Sequence, residues 1–173
     1  MENLLCDCFK NVVSKVPIGD SKERLVCSSC NKVFYQNPKI IAGVLPLFED
    51  KILLCKRSIE PRKNFWTIPG GFMECDETLK EAALREAYEE AGIRPKLANL
   101  HVIYDMPTIG QVYFLFLGHC ASLNYDCGIE TLESKWVNYA DIPWDDIAFK
   151  PVEFALKKLK NIQPEPHFGI MYK

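Results

Sequence analysis

A chain of 173 residues with 48% hydrophobic side chains holds one full domain and a small appendage, and is too short for two full domains. A net charge of −2 and a pI near 6.0 argue against a basic surface that grips nucleic acid without regard to sequence. No apolar run approaches the roughly 18 residues needed to cross a bilayer, and MENLLCDCFKNVV lacks a basic-then-apolar leader, so the expectation is a soluble cytoplasmic protein without a membrane partner.

The first feature along the chain is a set of paired cysteines, Cys6 with Cys8 and Cys27 with Cys30. In a reducing compartment such pairs point to metal rather than to disulfides, and four soft ligands in two clusters suffice for one tetrahedral Zn2+. The second pair has the regular spacing of a zinc knuckle; the first is one residue short. A segment of about 35 residues cannot build its own core, and a metal staple explains how it folds. Cys55, Cys75, Cys120 and Cys127 read as small, partly buried hydrophobes.

From Ile40 the pattern turns to strands. IIAGVLPLF and KILLCKR flank a tight turn at Glu49-Asp50 and read as a β-hairpin in a well-covered sheet. The polar loop SIEPRKN leads through Phe65-Trp66-Thr67-Ile68 to Pro69-Gly70-Gly71, where small residues let backbone approach a ligand closely. Arg57, Arg62 and Lys63 are the cations available to phosphates in this region.

A helix follows. Thr78 and Glu81 form a capping box, LKEAALREAYEEA is rich in helix formers, and Gly92 supplies the stop. At about 100° per residue, Leu84, Ala87, Tyr88 and Ala91 share a face that packs, while Glu86, Glu89 and Glu90 share another. Ala82 and Ala83, one turn earlier, leave room beside the acids for an ion or ligand. Glu86 and Glu90 are like charges at i, i+4, an arrangement relieved by a hard, oxygen-seeking cation such as Mg2+ or Mn2+. Arg85, one turn before Glu89, can orient it.

Beyond the helix, Leu100–Tyr104 and Val112–Leu117 read as strands separated by Met106-Pro107-Thr108-Ile109-Gly110. Tyr125–Thr131 is loop-like, Lys135-Trp136-Val137 a short strand, and PVEFALKKL a helix with proline in its first turn. The tail NIQPEPHFGIMYK is short and broken by proline. His101, His119 and His167 lack partners at metal spacing and read as structural; no nucleophile elbow is present, so covalent catalysis is not expected.

Gly71, Glu77, Arg85, Glu86, Glu89, Glu90, Gly92 and Ile93 resemble the Nudix box, G-x5-E-x7-R-E-U-x-E-E-x-G-U with U aliphatic; Ala87 stands at the first U, where Ile, Leu or Val is usual. At average composition this coincidence is on the order of one in a million, so chance is a poor explanation. The resemblance implies an α/β/α sandwich with a mixed sheet and an enzyme that hydrolyses the pyrophosphate bond of a nucleoside diphosphate derivative. It divides the chain into a zinc-ribbon-like segment (1–38), a hydrolase domain (39–160) and a tail (161–173). P-x-G-D before Arg24-Leu25-Val26-Cys27, then Tyr35-Gln36-Asn37-Pro38-Lys39, is similar to the N-terminal zinc ribbon that several family members carry.

The site implied by this resemblance places Mg2+ or Mn2+ on Glu86, Glu89, Glu90 and the Gly70 carbonyl, with Arg85 and Glu77 positioning the acids. Glu133 is the candidate general base, with Glu130 competing; Arg57, Gly70 and Gly71 face substrate; Cys6, Cys8, Cys27 and Cys30 hold a structural Zn2+. LLCKRSIEP, PTIGQVYFLFL and ESKWVNYADIPWDDIAF are similar to plant-type members acting on FAD and ADP-ribose. Pro107 lies close to where members acting on ADP-ribose carry a proline. The Ser-Gln-Pro-Trp-Pro-Phe-Pro stretch of the NADH pyrophosphatase branch is absent, which ranks ADP-ribose and FAD above NADH. Rivals are a non-catalytic nucleotide-binding module and a decapping enzyme using the ribbon on RNA; the acidic net charge counts against the latter. Family members often form homodimers.

Overall fold

The computed structural model describes residues 11–172. Cys6 and Cys8, half of the expected zinc ligands, lie outside the described residues. The chain divides between Asn37 and Pro38 into two compact units.

The smaller unit carries an antiparallel sheet of three short strands, β1 (Val12–Lys15), β2 (Arg24–Cys27) and β3 (Val33–Phe34), in that order. Cys27 is buried at the end of β2 and Cys30 exposed in the turn that follows. That turn is closed by the Asn31 N–H donating to the Cys27 carbonyl at 2.9 Å and the Cys27 N–H donating to the Lys32 carbonyl at 2.9 Å.

The larger unit is organised on β4 (Lys39–Phe48), which meets β5 (Lys51–Arg57) through the expected turn at Glu49-Asp50. Then come β6 (Trp66–Thr67), β7 (Gly70–Phe72), α1 (Leu79–Ala91), β8 (Lys96–Met106), β9 (Gln111–His119), β10 (Thr131–Asn138), α2 (Lys150–Lys158) and β11 (His167–Ile170). The main path of the mixed sheet runs β10-β5-β4-β9-β8-β11. β4 pairs with β9 in parallel along almost its whole length. On its other side it pairs first with β7, Gly43 opposite Gly70, and only at its end with β5, Leu47 opposite Ile52. Residues 66–72 therefore cross from β5, where Cys55 faces Thr67, to β4. The Pro69-Gly70-Gly71 loop sits where the central strand changes partners.

Each sheet face has its own core. On one side Ala82, Ala83, Ala87 and Ala91 of α1 pack on Ala42, Val44, Leu53, Cys55 and Phe116. On the other, Val152, Ala155 and Leu156 of α2 pack with Leu45, Leu54, Val102 and Leu115. The expected three-layer α/β/α architecture is thus present.

Three expectations change. Ala82 and Ala83 do not leave room beside the acids; both are fully buried under the helix, while Leu84 and Tyr88, expected to pack, are exposed at 36% and 52%. An all-alanine contact lets the helix lie close to the sheet, and larger side chains are turned out to solvent. β10 is longer than expected and takes in Glu133. The tail, expected to be too short and proline-broken for an element, forms β11, which adds to the sheet edge in parallel with β8, His167 opposite Val102.

Candidate functional site

The helix that carries the acids is fixed at both ends by local chemistry. The Thr78 hydroxyl accepts from the Glu81 N–H, the Glu81 carboxylate accepts from the Thr78 N–H at 2.8 Å, and Gly92 ends the helix in the left-handed region at φ 62°. With its alanine stripe against the sheet, the helix sets two of its glutamates onto the glycine loop. The Gly70 N–H donates to Glu90 Oε2 at 2.9 Å. The Glu86 carboxylate lies so close over Gly71 that a Cβ there would come within 2.5 Å of its Oε1, which is why this position takes glycine.

Arg85 ties the remaining acids together. Its Nε and Nη2 donate to Glu77 at 3.0 and 2.7 Å, its Nη1 to Glu86 at 2.7 Å and to Glu89 at 3.1 Å, and Nη2 also to the Phe72 carbonyl at 3.1 Å. The Arg85 hydrogen bond holds the Glu77 carboxyl below its ordinary range, helped by the Glu74 N–H. One planar guanidinium thus fixes the loop before the helix, the helix and β7.

The two inner acids are held at a cost. Glu90 is 8% exposed, and burial pushes its carboxyl up to about 7, the Gly70 N–H pulling it back and Glu86 and Glu130 adding repulsion. Glu86 is likewise raised by burial, against the pull of Arg85. Among the described residues no three acidic, imidazole or thiol groups already converge on one point. The donor set is nonetheless all oxygen, and a hard divalent cation relieves the burial and mutual repulsion of Glu86 and Glu90. The chemistry of these residues fits Mg2+ or Mn2+.

Other expected residues fall into two groups. Arg57, at the end of β5, donates from Nε to the Pro61 carbonyl at 2.9 Å, lies 5.0 Å from the Phe149 ring centre, and acts electrostatically on both Glu90 and Tyr113. It therefore belongs with the cluster. Glu133 is placed otherwise: it stands in β10 opposite Lys56, 4.0 Å from Nζ, with its side chain 54% exposed. From this segment the acid that acts on both Glu86 and Glu90 is Glu130. The resemblance favoured Glu133 because it stands three residues before the aromatic Trp136, whereas Glu130 is delivered by a docked loop. Tyr113, half-buried and raised by burial, interacts with the same cation and stands in β9 between Ile41 and Tyr104; its only sequence signal was an aromatic in the expected strand Val112–Leu117.

The NUDIX domain model matches residues 37–156, and a zinc-ribbon model described as Nudix N-terminal matches 6–36. The crystal structure of a NUDIX hydrolase from Nitrosomonas europaea superposes with a TM-score of 0.91 at 41% identity, covering 98% of this chain and 99% of that one. An ADP-ribose pyrophosphatase from Methanocaldococcus jannaschii is 41% identical over 73 residues, 42% of this chain and 43% of the relative. The NAD-capped RNA hydrolase NudC of Salmonella heidelberg is 32% identical over 137 residues, 73% of this chain and 50% of the relative. The chain thus spans about half the length of the curated relatives it matches.

Proposed function

The chain belongs to the NUDIX domain family, and from that premise we propose that it hydrolyses the pyrophosphate bond of a nucleoside diphosphate linked to a second group, with ADP-ribose or an NAD-type dinucleotide as substrate. The observation that carries this reading is the placement of Glu86 and Glu90 on Gly71 and Gly70, with Arg85 holding Glu86 and Glu89. Glu86, Glu89, Glu90 and the Gly70 carbonyl would hold Mg2+ or Mn2+. When bound, the cation neutralises charge that builds on the phosphoryl oxygens. Arg85 and Glu77 keep the ligand carboxylates in place, and Gly70 and Gly71 let the diphosphate come close to backbone. Arg57, whose Nη groups lie free of the Pro61 bond, faces the diphosphate. Glu130, in place of Glu133, accepts the proton of the attacking water. Water adds to one phosphorus, the bridging P–O bond breaks, and AMP leaves one side of it.

Support for the substrate comes from the relatives' names, which share an adenosine diphosphate linked to ribose; FAD, with the same adenosine diphosphate half, is the finer alternative. Cys27 and Cys30, together with Cys6 and Cys8, hold a structural Zn2+ in this reading. AMP release from ADP-ribose, NADH, FAD and ATP, and nicotinamide mononucleotide release from NAD-capped RNA, each with Mg2+ and with Mn2+, test it. Turnover of an adenosine diphosphate derivative is expected. Tight nucleotide binding with no turnover of any of them would move the assignment to a binding module.

A further inference from the structure

The loop joining β9 to β10 carries Glu130 toward two carboxylates that repel it, so something must hold it there. Apolar packing does not: Leu123, Tyr125 and Ile129 are exposed at 39%, 44% and 99%. Backbone bonds hold one side, the Asp126 N–H to the Ala91 carbonyl at 2.9 Å and the Gly128 N–H to the Glu90 carbonyl at 3.1 Å, with Gly128 lying flat on the Glu89 carbonyl where any Cβ would collide. These also satisfy the end of α1. Trp136 Nε1 also donates to the Leu123 carbonyl at 2.8 Å and Cys127 Sγ to Ser134 Oγ at 3.4 Å, but the residues next to Glu130 are held from just beyond β5, by Ser58. The Ser58 N–H donates to the Glu130 carbonyl at 2.9 Å and the Ser58 hydroxyl to the Ile129 carbonyl at 2.9 Å. The Thr131 N–H closes the turn onto the Gly128 carbonyl at 3.0 Å, so Glu130 is bracketed on both sides.

We propose that Ser58 is a positioning residue that clamps Glu130 beside the helix carboxylates, with Gly128 as the opposing jaw. This rests on the hydrolase reading above. Ser58 touches neither metal ligand nor reacting atoms, and its action passes through Glu130. In a double-mutant cycle of Ser58→Ala and Glu130→Gln on the full chain, Ser58→Ala is expected to lower kcat by about tenfold to a hundredfold with KM within about twofold. The double variant should then be no slower than Glu130→Gln alone, and Ser58→Thr, which keeps the hydroxyl, should restore most of the rate. Thermal unfolding confirms that each variant is folded. Multiplying effects in the double variant, or an unchanged kcat in Ser58→Ala, would overturn the proposal.

Amide hydrogen exchange separates this outcome from failure of the hydrolase reading. Whether or not any substrate turns over, exchange at Gly128 and Thr131, whose N–H groups are bonded in this turn, should accelerate in Ser58→Ala and return in Ser58→Thr. Unchanged exchange in Ser58→Ala would sink the clamp by itself.

Discussion

Gly71 shows how one missing methyl group shapes the site. Its Cα is the floor under the Glu86 carboxylate, so Gly71→Ala must displace that carboxylate by a few tenths of an ångström or more. The expected outcome is a kcat loss of roughly a hundredfold with a far smaller change in thermal midpoint, read by steady-state kinetics beside calorimetry. A large loss of stability with normal activity in the folded fraction would contradict it. Glu90 offers a second test. Its carboxyl sits at about 7 instead of 4.5, so between those values the folded protein keeps a proton that the unfolded chain has released. Metal-free protein should therefore be most stable below about pH 4.5 as far as this group is concerned, and lose that contribution as pH rises through 7. Glu90→Gln should flatten this part of the urea midpoint against pH, and added Mg2+ should weaken it in the unmutated protein.

At the scale of elements, the ends of α1 were legible because they are local: Thr78, Glu81 and Gly92 act on their own turns. Thr78→Ala should cost about 1 kcal/mol in chemical unfolding. The packing face of the helix was half legible from apolar periodicity: Ala87 and Ala91 pack as expected, while Ala82 and Ala83 take the places of Leu84 and Tyr88, an all-alanine contact that brings Glu86 and Glu90 down to the glycines. β11 was illegible for a similar reason, as HFGI becomes a strand only against β8. The acidic box could be read from spacing, while Glu130 was legible only as the rival to Glu133, since its position depends on a loop docked on α1 and Ser58. Two histidines join the tail to the rest. His101 Nε2 lies 3.1 Å from the Ala155 carbonyl, His167 Nε2 lies 2.8 Å from that of Asn161, and the rings meet edge to face at 5.4 Å. Burial holds the His101 imidazole below its ordinary 6.5, so stability present above that value is lost as pH falls below it, when the unfolded chain gains a proton the folded one resists. His101→Gln, which keeps a donor and cannot titrate, should remove part of the fall in unfolding midpoint between pH 7 and 5.5.

At the scale of the molecule, a three-layer hydrolase-type unit and a ribbon-type unit share one chain, and no described helix is long and apolar enough to cross a membrane. If the ribbon holds zinc through its cysteines, Cys27→Ser should lower the zinc content of purified protein measured by atomic emission, while Mn2+ binding at the helix carboxylates stays. The central claim concerns those carboxylates, and its most direct test is an Mn2+ titration followed by electron paramagnetic resonance on the unmutated chain and on Glu90→Gln, with AMP release from ADP-ribose measured on the same samples. The account predicts weaker Mn2+ binding in Glu90→Gln and turnover lower by roughly a thousandfold even when metal is saturating. Near-normal turnover by Glu90→Gln at saturating metal would contradict it.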